Sequence, residues 1–513
     1  MASWDRRTPD QIDKQREAAV RTQVLDVVGP FSPWWRERLA ALGRTPTQAS
    51  TVAGLRALPA FGERDLCPDG DPAAAAALVL QATESQFALH AYGPTLRKAI
   101  MLRLTAPGSY RRLIEADTRS TSFVWAGLGV RFPVASTRSD LDVIARAGVR
   151  LWSVLGLTSQ DVVVSALAGQ PTAASQALHL AALASGCPAM APGPEVSDLV
   201  GALALLPATV LVVAAQDAAA LLDNLDDQGA DLTSLTTLLL VGGAGEGERQ
   251  AAADALARVG AGLAQVLAVH APEGHRLLWA ECRTGGAAAG LHTYPDLDLV
   301  DLVDAETGDL TGDGADGHTS GGGELVLTQL GLRGSVLLRW RTGDLVDAIS
   351  TAPCPACGRT VPRVLGLQRA GLVPVLALRL ADQPAPHRAA PHRADLQRAD
   401  LQRADLPRAD LPRADLHRVD LRGVSGALEG RTDVVDWRIV INQSARDGAD
   451  ELLVYVVPQP GADPAAVVVG VARDVRHGSG LLPTQVVLSA AGELPEGGTE
   501  LLPRVVLRAR QPV

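Results

Sequence analysis

Between Asp140 and Val259, apolar runs of two different periods alternate, and this alternation narrows the fold more than any other feature of the chain. Leu141, Ile144, Ala145, Val149, Leu151, Trp152 and Leu155 recur at helical spacing. Val162-Val163-Val164 then reads as a short buried strand, followed by a helix over 175–186 and a strand over 209–213. Leu238-Leu239-Leu240-Val241 is a further strand, which runs through Gly242-Gly243-Ala244 into a helix over 248–259. β-branched runs alternating with Ala/Leu helices predict an α/β layered domain. The glycine turn at Gly242, Gly243 and Ala244 lets backbone come close to a ligand at a helix N-terminus, so it is a candidate nucleotide-approach site. Any tight strand-to-helix turn reads the same way.

At 513 residues the chain is too long for one core, so two or more domains are expected. The first spans 1–365. Residues 382–422 then change character: Arg recurs every fifth residue from Arg388 to Arg418, and Leu every fifth from Leu396 to Leu421. Such a period matches pentapeptide-repeat β-helices, yet so few Leu units make a short stack. Charges balance within each unit, and Pro407 and Pro412 interrupt any helix. The preferred reading of 366–422 is a hinge and an expanded linker, with a short β-helical ornament as the alternative. The tail, 423–513, carries strand-like runs over 434–442 and 451–457, a helix over 465–475 and a strand over 484–488. That order describes a small α+β domain.

Composition removes several function classes. A hydrophobic fraction of 47% with 20% charged residues fits a globular chain rather than a disordered one. A net charge of −10 without a basic stripe argues against a nucleic-acid partner. The most apolar window, Leu199 to Ala215, is broken by Pro207 and Thr209 and falls short of the ~20 residues a membrane span needs. No membrane partner is expected. Met1 to Arg7 lack an apolar signal core, so the expected location is cytoplasmic. Five cysteines do not suggest a disulfide framework there.

Leu338-Arg339-Trp340-Arg341-Thr342-Gly343-Asp344 follows the apolar run Glu324 to Thr328, with Cys354-Pro355-Ala356-Cys357 downstream. Val269 to Gly274 and Ala280-Glu281-Cys282 lie upstream. Together these segments resemble the phenylacetate–CoA ligase relatives of the adenylate-forming (acyl/aryl–CoA ligase) superfamily. The resemblance implies an ATP-dependent adenylation of a small-molecule carboxylic acid, an aryl acid by family, followed by thioester formation with CoA. It implies that Asp344 holds the nucleotide ribose, that adenine packs at Gly242, Gly243 and Ala244, and that Glu273 helps hold Mg²⁺, a hard cation suited to carboxylate. A solvated loop glutamate is the bland alternative for Glu273. Arg369 matches the hinge arginine. Homodimerisation stays open.

Cys354-x2-Cys357 is a tight pair able to present two thiolates to one ion. Cys282 and His292 complete a Cys₃His set, in which soft sulfur with imidazole selects Zn²⁺. The resembling ligases often carry zinc at these four places. Four protein ligands leave no open position, which predicts a structural role; reduced, buried cysteines are the alternative.

The departures from the family pattern concern the phosphates and the hinge, where Ala370-Gly371-Leu372 follows Arg369 and the family's Asp pair is gone. In place of the Ser/Thr/Gly-rich loop ending in Lys stands Trp125-Ala126-Gly127-Leu128-Gly129-Val130-Arg131, which reads equally as an ordinary turn. The chain has lysines only at Lys14 and Lys98, so the C-terminal catalytic Lys of the family is missing. Arg504 or Arg508 could stand in for its charge, though with different geometry. Two readings follow: an acid–CoA ligase, or a ligase-fold protein that binds a nucleotide, acyl ligand or protein partner without catalysis.

Overall fold

A computed structural model of the chain describes residues 4–67, 72–80, 93–108, 119–126, 132–167, 172–242, 244–305, 307–311, 318–367, 376–378, 417–419, 424, 427–428, 431–443, 451–479, 483–490, 493–495 and 505–509. It forms two compact units, Met1–Pro374 with Gly498–Pro503, and Val375–Gly497 with Arg504–Val513.

In the first unit, β1 (Ser120–Ala126) and β2 (Phe132–Thr137) form an antiparallel hairpin. An 11-stranded sheet follows. Its parallel part contains β3 (Val163–Ser165), β4 (Ala189–Met190), β5 (Val210–Ala214), β6 (Thr237–Val241) and β7 (Gln265–His270), in the order β7-β6-β5-β3-β4. Helices Ala173–Ser185, Val196–Leu205, Ala218–Asp227 and Glu246–Arg258 make the crossovers. Alternate side chains of a strand point to opposite faces. Val210, Val212 and Leu239 therefore join one core, with helices Arg138–Leu155 and Ala173–Ser185. Leu211, Val213, Leu238 and Leu240 join the other, with the remaining crossover helices. These strands are buried on both faces, which is why they read as continuous apolar runs. No helix among the described residues is long and apolar enough to cross a membrane; the Leu199–Ala215 window is a helix and the buried strand β5.

The sheet continues antiparallel through β8 (Trp279–Glu281), β9 (Leu291–His292), β10 (Asp298–Val303), β11 (His318–Gln329), β12 (Trp340–Ser350) and β13 (Arg363–Leu365). Its order here is β10-β11-β12-β13-β9-β8-β7. The β9 strand is thus held between β8 and β13, although β13 lies far downstream in sequence. A third core packs the N-terminal helices against the β1–β2 hairpin and Trp340.

Helix Arg138–Leu155 shows how local signals set an element. Thr137 and Asp140 form a reciprocal capping box, and Gly156 at φ 67° ends the helix in the left-handed conformation. Its buried stripe is Ile144, Ala147, Leu151, Trp152 and Leu155. Thr137→Ala removes the side-chain acceptor for the Asp140 N–H, 3.1 Å away. The expected loss is about 1 kcal/mol, read as a lower urea midpoint at unchanged slope.

The second unit has a four-stranded sheet built from β16 (Val434–Gln443), β17 (Glu451–Pro458), β18 (Gln485–Leu488) and β19 (Val505–Ala509), in the order β18-β17-β16-β19. One helix, Pro464–Ser479, buries Val467, Val471 and Val475 at a spacing of four. This is the α+β arrangement expected of the tail. Separately, β14 (Leu376–Leu378) pairs antiparallel with β15 (His417–Val419). The five-residue repeat is described only at 417–419. The linker reading of 382–422 otherwise falls outside the described residues.

Candidate metal cluster and nucleotide site

Cys282 directly follows β8, His292 ends β9, and Cys354 and Cys357 lie on the turn between β12 and β13. Strand pairing does the assembly: Ala280 is opposite His292, and His292 is opposite Arg363. The four ligand atoms lie within 4.8 Å of one another. His292 Nε2 and Cys357 Sγ are 3.3 Å apart, and the Cys282 and Cys354 sulfurs 4.0 Å. A tetrahedral ion held by sulfur at ~2.3 Å separates its ligands by about 3.8 Å, so the set fits one ion. Gly285 permits the close packing: a Cβ there would meet Ala356 Cβ at 2.7 Å and Cys282 Sγ at 3.2 Å.

Burial and hydrogen bonds set the protonation states of three of the four side chains. Burial pushes the His292 imidazole down to about 4, leaving it neutral. Its Nδ1 lies 3.3 Å from the Ala280 carbonyl; donating there leaves Nε2 as the lone pair facing Cys357. Burial pushes the Cys282 thiol up to about 11. Burial also works to raise Cys357, but hydrogen bonds from the Arg359 backbone and side chain bring its thiol below the usual range. Arg359 is itself fixed, with Nε donating to Asp5 Oδ2 at 2.8 Å and Nη2 to the Ser153 carbonyl at 2.8 Å. The Thr360 N–H donates to the Asp5 carbonyl, which clasps the N-terminal segment onto this turn.

The Arg339–Asp344 motif opens β12. Among the described residues Arg339 is the non-glycine residue with positive φ, at 55°. Its surroundings hold it there. The backbone N–H donates to Thr328 Oγ1 at 2.9 Å, the carbonyl accepts from the Phe61 N–H at 3.0 Å, and Nη1 reaches Asp301 Oδ2 at 2.8 Å. Trp340 packs edge-on to Phe61 and Phe132, and its Nε1 donates to the Glu273 carbonyl at 2.9 Å. Arg341 is paired to Glu324. The Thr342 hydroxyl donates to the Leu325 carbonyl at 3.0 Å and accepts the Asp344 N–H at 3.1 Å. Each side chain before Asp344 is thus occupied in fixing the turn.

Asp344 meets a residue that sequence reasoning passed over. His270, the last residue of β7, places Nε2 2.9 Å from Asp344 Oδ2. It lies within the Val269–Gly274 segment, and a titratable side chain three residues before Glu273 was the signal available. Beside it, Gly242 follows Val241, the partner of Val269, and at φ 107° takes a conformation that favours glycine. Its N–H donates to the Val269 carbonyl at 3.0 Å. Ala244 is held through its carbonyl by Arg249 Nε at 3.1 Å, and Arg249 also pairs with Glu281, next to Cys282. The positive end of helix Glu246–Arg258 is taken by its own acids, because the Gly245 N–H donates to Glu248 Oε2 at 2.9 Å.

Gly242 and Ala244 follow β6, His270 ends β7 with Glu273 in the loop beyond it, and Asp344, inside β12, is joined to His270. The glycine loop 127–131, Gly243, Arg369, Arg504 and the Arg508 side chain lie outside the described residues.

Comparison with known proteins bears on the fold. A family model for pentapeptide repeats matches residues 392–425, in eight copies. No curated protein sequence matches the chain. Solved structures do. A 2-hydroxyisobutyryl-CoA ligase in the postadenylation state, in complex with 2-HIB-AMP, is 17% identical at a TM-score of 0.59, covering 98% of this chain and 91% of that one. The same ligase with 2-HIB-AMP and CoA, in its thioesterification state, is 16% identical at a TM-score of 0.56, covering 99% and 91%. The fold is that of the adenylate-forming acyl-CoA ligases.

Proposed function

We propose that this protein binds ATP and activates a small carboxylic acid, an aryl acid by resemblance, as its acyl adenylate, with CoA as the thiol acceptor. In this reading the acid's carboxylate oxygen attacks the α-phosphorus, pyrophosphate leaves, and the CoA thiol then displaces AMP. Asp344 accepts hydrogen bonds from the ribose hydroxyls, and Gly242, Gly243 and Ala244 allow the base to approach. Glu273 serves as a carboxylate ligand for Mg²⁺. Cys282, His292, Cys354 and Cys357 hold a structural zinc, which when bound supplies a fixed tetrahedral crosslink between β8, β9 and the β12–β13 turn. Residues 1–365 form the adenylating domain, 366–422 with Arg369 the hinge and linker, and 423–513 the small domain. Negative charge builds on phosphate oxygens in such transfers, so a cation is required there; Arg504 or Arg508 takes that place.

The observation that carries the reading is Asp344, held on a braced turn at 13% side-chain exposure against His270 at the end of β7. The second reading, a ligand-binding protein without catalysis, is favoured by the absence of any lysine after Lys98. Calorimetry with Mg-ATP on metal-loaded protein tests the first. Asp344→Ala is expected to weaken binding at least about tenfold, or ~1.4 kcal/mol. ATP binding with no pyrophosphate release over a panel of aryl and short-chain acids would favour the second. A well-folded chain that binds no ATP would remove the nucleotide from both.

A further inference from the structure

Glu281 sits within the metal cluster's own strands: it precedes Cys282 and pairs across β8 and β9 with Leu291, beside His292. Its carboxylate, 4% exposed, serves other elements. Oε2 accepts the Ala268 N–H of β7 at 3.0 Å, and the two oxygens take both terminal nitrogens of Arg249, Nη1 at 3.0 Å. The third guanidinium nitrogen, Nε, donates to the Ala244 carbonyl at 3.1 Å. One arginine from helix Glu246–Arg258 thus holds the connection after β6 and is itself held from β8.

Such a buried pair is weak evidence for stability alone, because apolar residues of the same volume often serve as well. Its effect here is positional. Gly242, at φ 107°, is restrained by its N–H to the Val269 carbonyl, and a glycine backbone costs more entropy to fix than any other. Arg249 supplies a second restraint, at Ala244. The planar guanidinium fork makes that restraint depend on where Glu281 stands.

We propose that Arg249 and Glu281 are a positioning pair linking the metal cluster to the nucleotide turn, so that metal held by Cys282 and His292 tightens nucleotide binding. This rests on the nucleotide reading of Gly242 and Ala244 and on the Cys₃His set, and adds a connection between them. Coupling between two binding sites is reciprocal, so the nucleotide tightens the metal by the same factor. The contacts from Cys282 to Ala244 are contiguous, the form in which hydrogen-bonded networks carry such coupling.

Zinc occupancy of the full chain is measured at chelator-buffered free zinc, with and without saturating Mg-ATP, and Mg-ATP affinity by calorimetry on zinc-loaded protein. Wild type is expected to hold zinc about tenfold more tightly with Mg-ATP, within the range common for coupled sites. The double variant Arg249→Met with Glu281→Gln leaves neither charge of the pair unpaired and keeps an amide oxygen for the Ala268 N–H. It is expected to retain one zinc per chain, to bind Mg-ATP about tenfold more weakly, and to show no zinc shift with Mg-ATP. Circular dichroism checks that it folds. Should it not, Glu281→Gln alone is read in the same way, with the shift cut at least about threefold.

A wild type that binds Mg-ATP with its zinc affinity unmoved overturns the proposal and leaves the nucleotide reading standing. An equal shift in wild type and variant overturns it too, because the coupling then runs through folding rather than through this pair. A wild type that takes up no zinc removes the metal set and the proposal together. One that binds no Mg-ATP takes down the nucleotide reading as well.

Discussion

Cys354→Ser is expected to abolish stoichiometric metal and to open the sheet where β8, β9 and β13 meet. Purified wild type should carry about one Zn²⁺ per chain by elemental analysis, and the variant close to none. Binding of a structural zinc is folding free energy, on the order of 10 kcal/mol in isolated zinc-binding peptides. Here the surrounding sheet supplies part of the organisation, so the loss should be smaller but still several kcal/mol. It should appear as a lowered melting temperature in the variant and in wild type treated with chelator. Acid should release the metal as well, because protons compete for the thiolates. The effect should reach the N-terminus: Asp5 is tied to Arg359 and Thr360, so residues 4–8 should become protease-sensitive when the metal is removed. A metal-free wild type with undiminished stability would make the four residues merely reduced, buried neighbours.

Asp140→Ala should cost about 3–5 kcal/mol, because it leaves a buried arginine uncompensated. Asp140 is fully buried, and so is Arg276, whose Nη1 lies 3.3 Å from Asp140 Oδ2. The same carboxylate accepts the N–H groups of Arg333 at 2.8 Å, Gly334 at 2.7 Å and Thr137 at 2.9 Å. Truncation therefore strands three donors as well as a charge. Burial lowers the Arg276 pKa while Asp140 opposes that shift, so the carboxylate is what keeps the guanidinium favourable there. Breaking such a pair is far more damaging than replacing both partners. The double variant Asp140→Ala with Arg276→Met should lose less than the two single variants summed, a non-additivity that a double-mutant cycle in urea measures. Additive losses would mean that the two residues act separately.

Much of the fold was legible because its signals are local. The β5 and β6 strands read directly from runs of four or more β-branched or Leu residues, and helix Arg138–Leu155 from its apolar period over 140–155. The Cys₃His set was legible for a different reason. Its residue types are scarce and chemically selective, so their clustering in one stretch pointed to a site even though Cys282 and Cys354 are 72 residues apart.

Sequence alone determined the layered α/β domain and the α+β tail, carried by periodicity, and pointed to the clustered Cys282, His292, Cys354 and Cys357 through their rare residue types. Tertiary structure alone decided which side chains those elements bring together. Asp344 meets His270 across 74 positions, Asp140 meets Arg276 across 136, and Arg339 is held at φ 55° by Asp301, Thr328 and Phe61. No local pattern encodes such contacts. They follow from strand order, because β9 and β13 become neighbours only when the antiparallel half of the sheet closes. A buried polar group acquires its role from the donors and acceptors that this closure places around it.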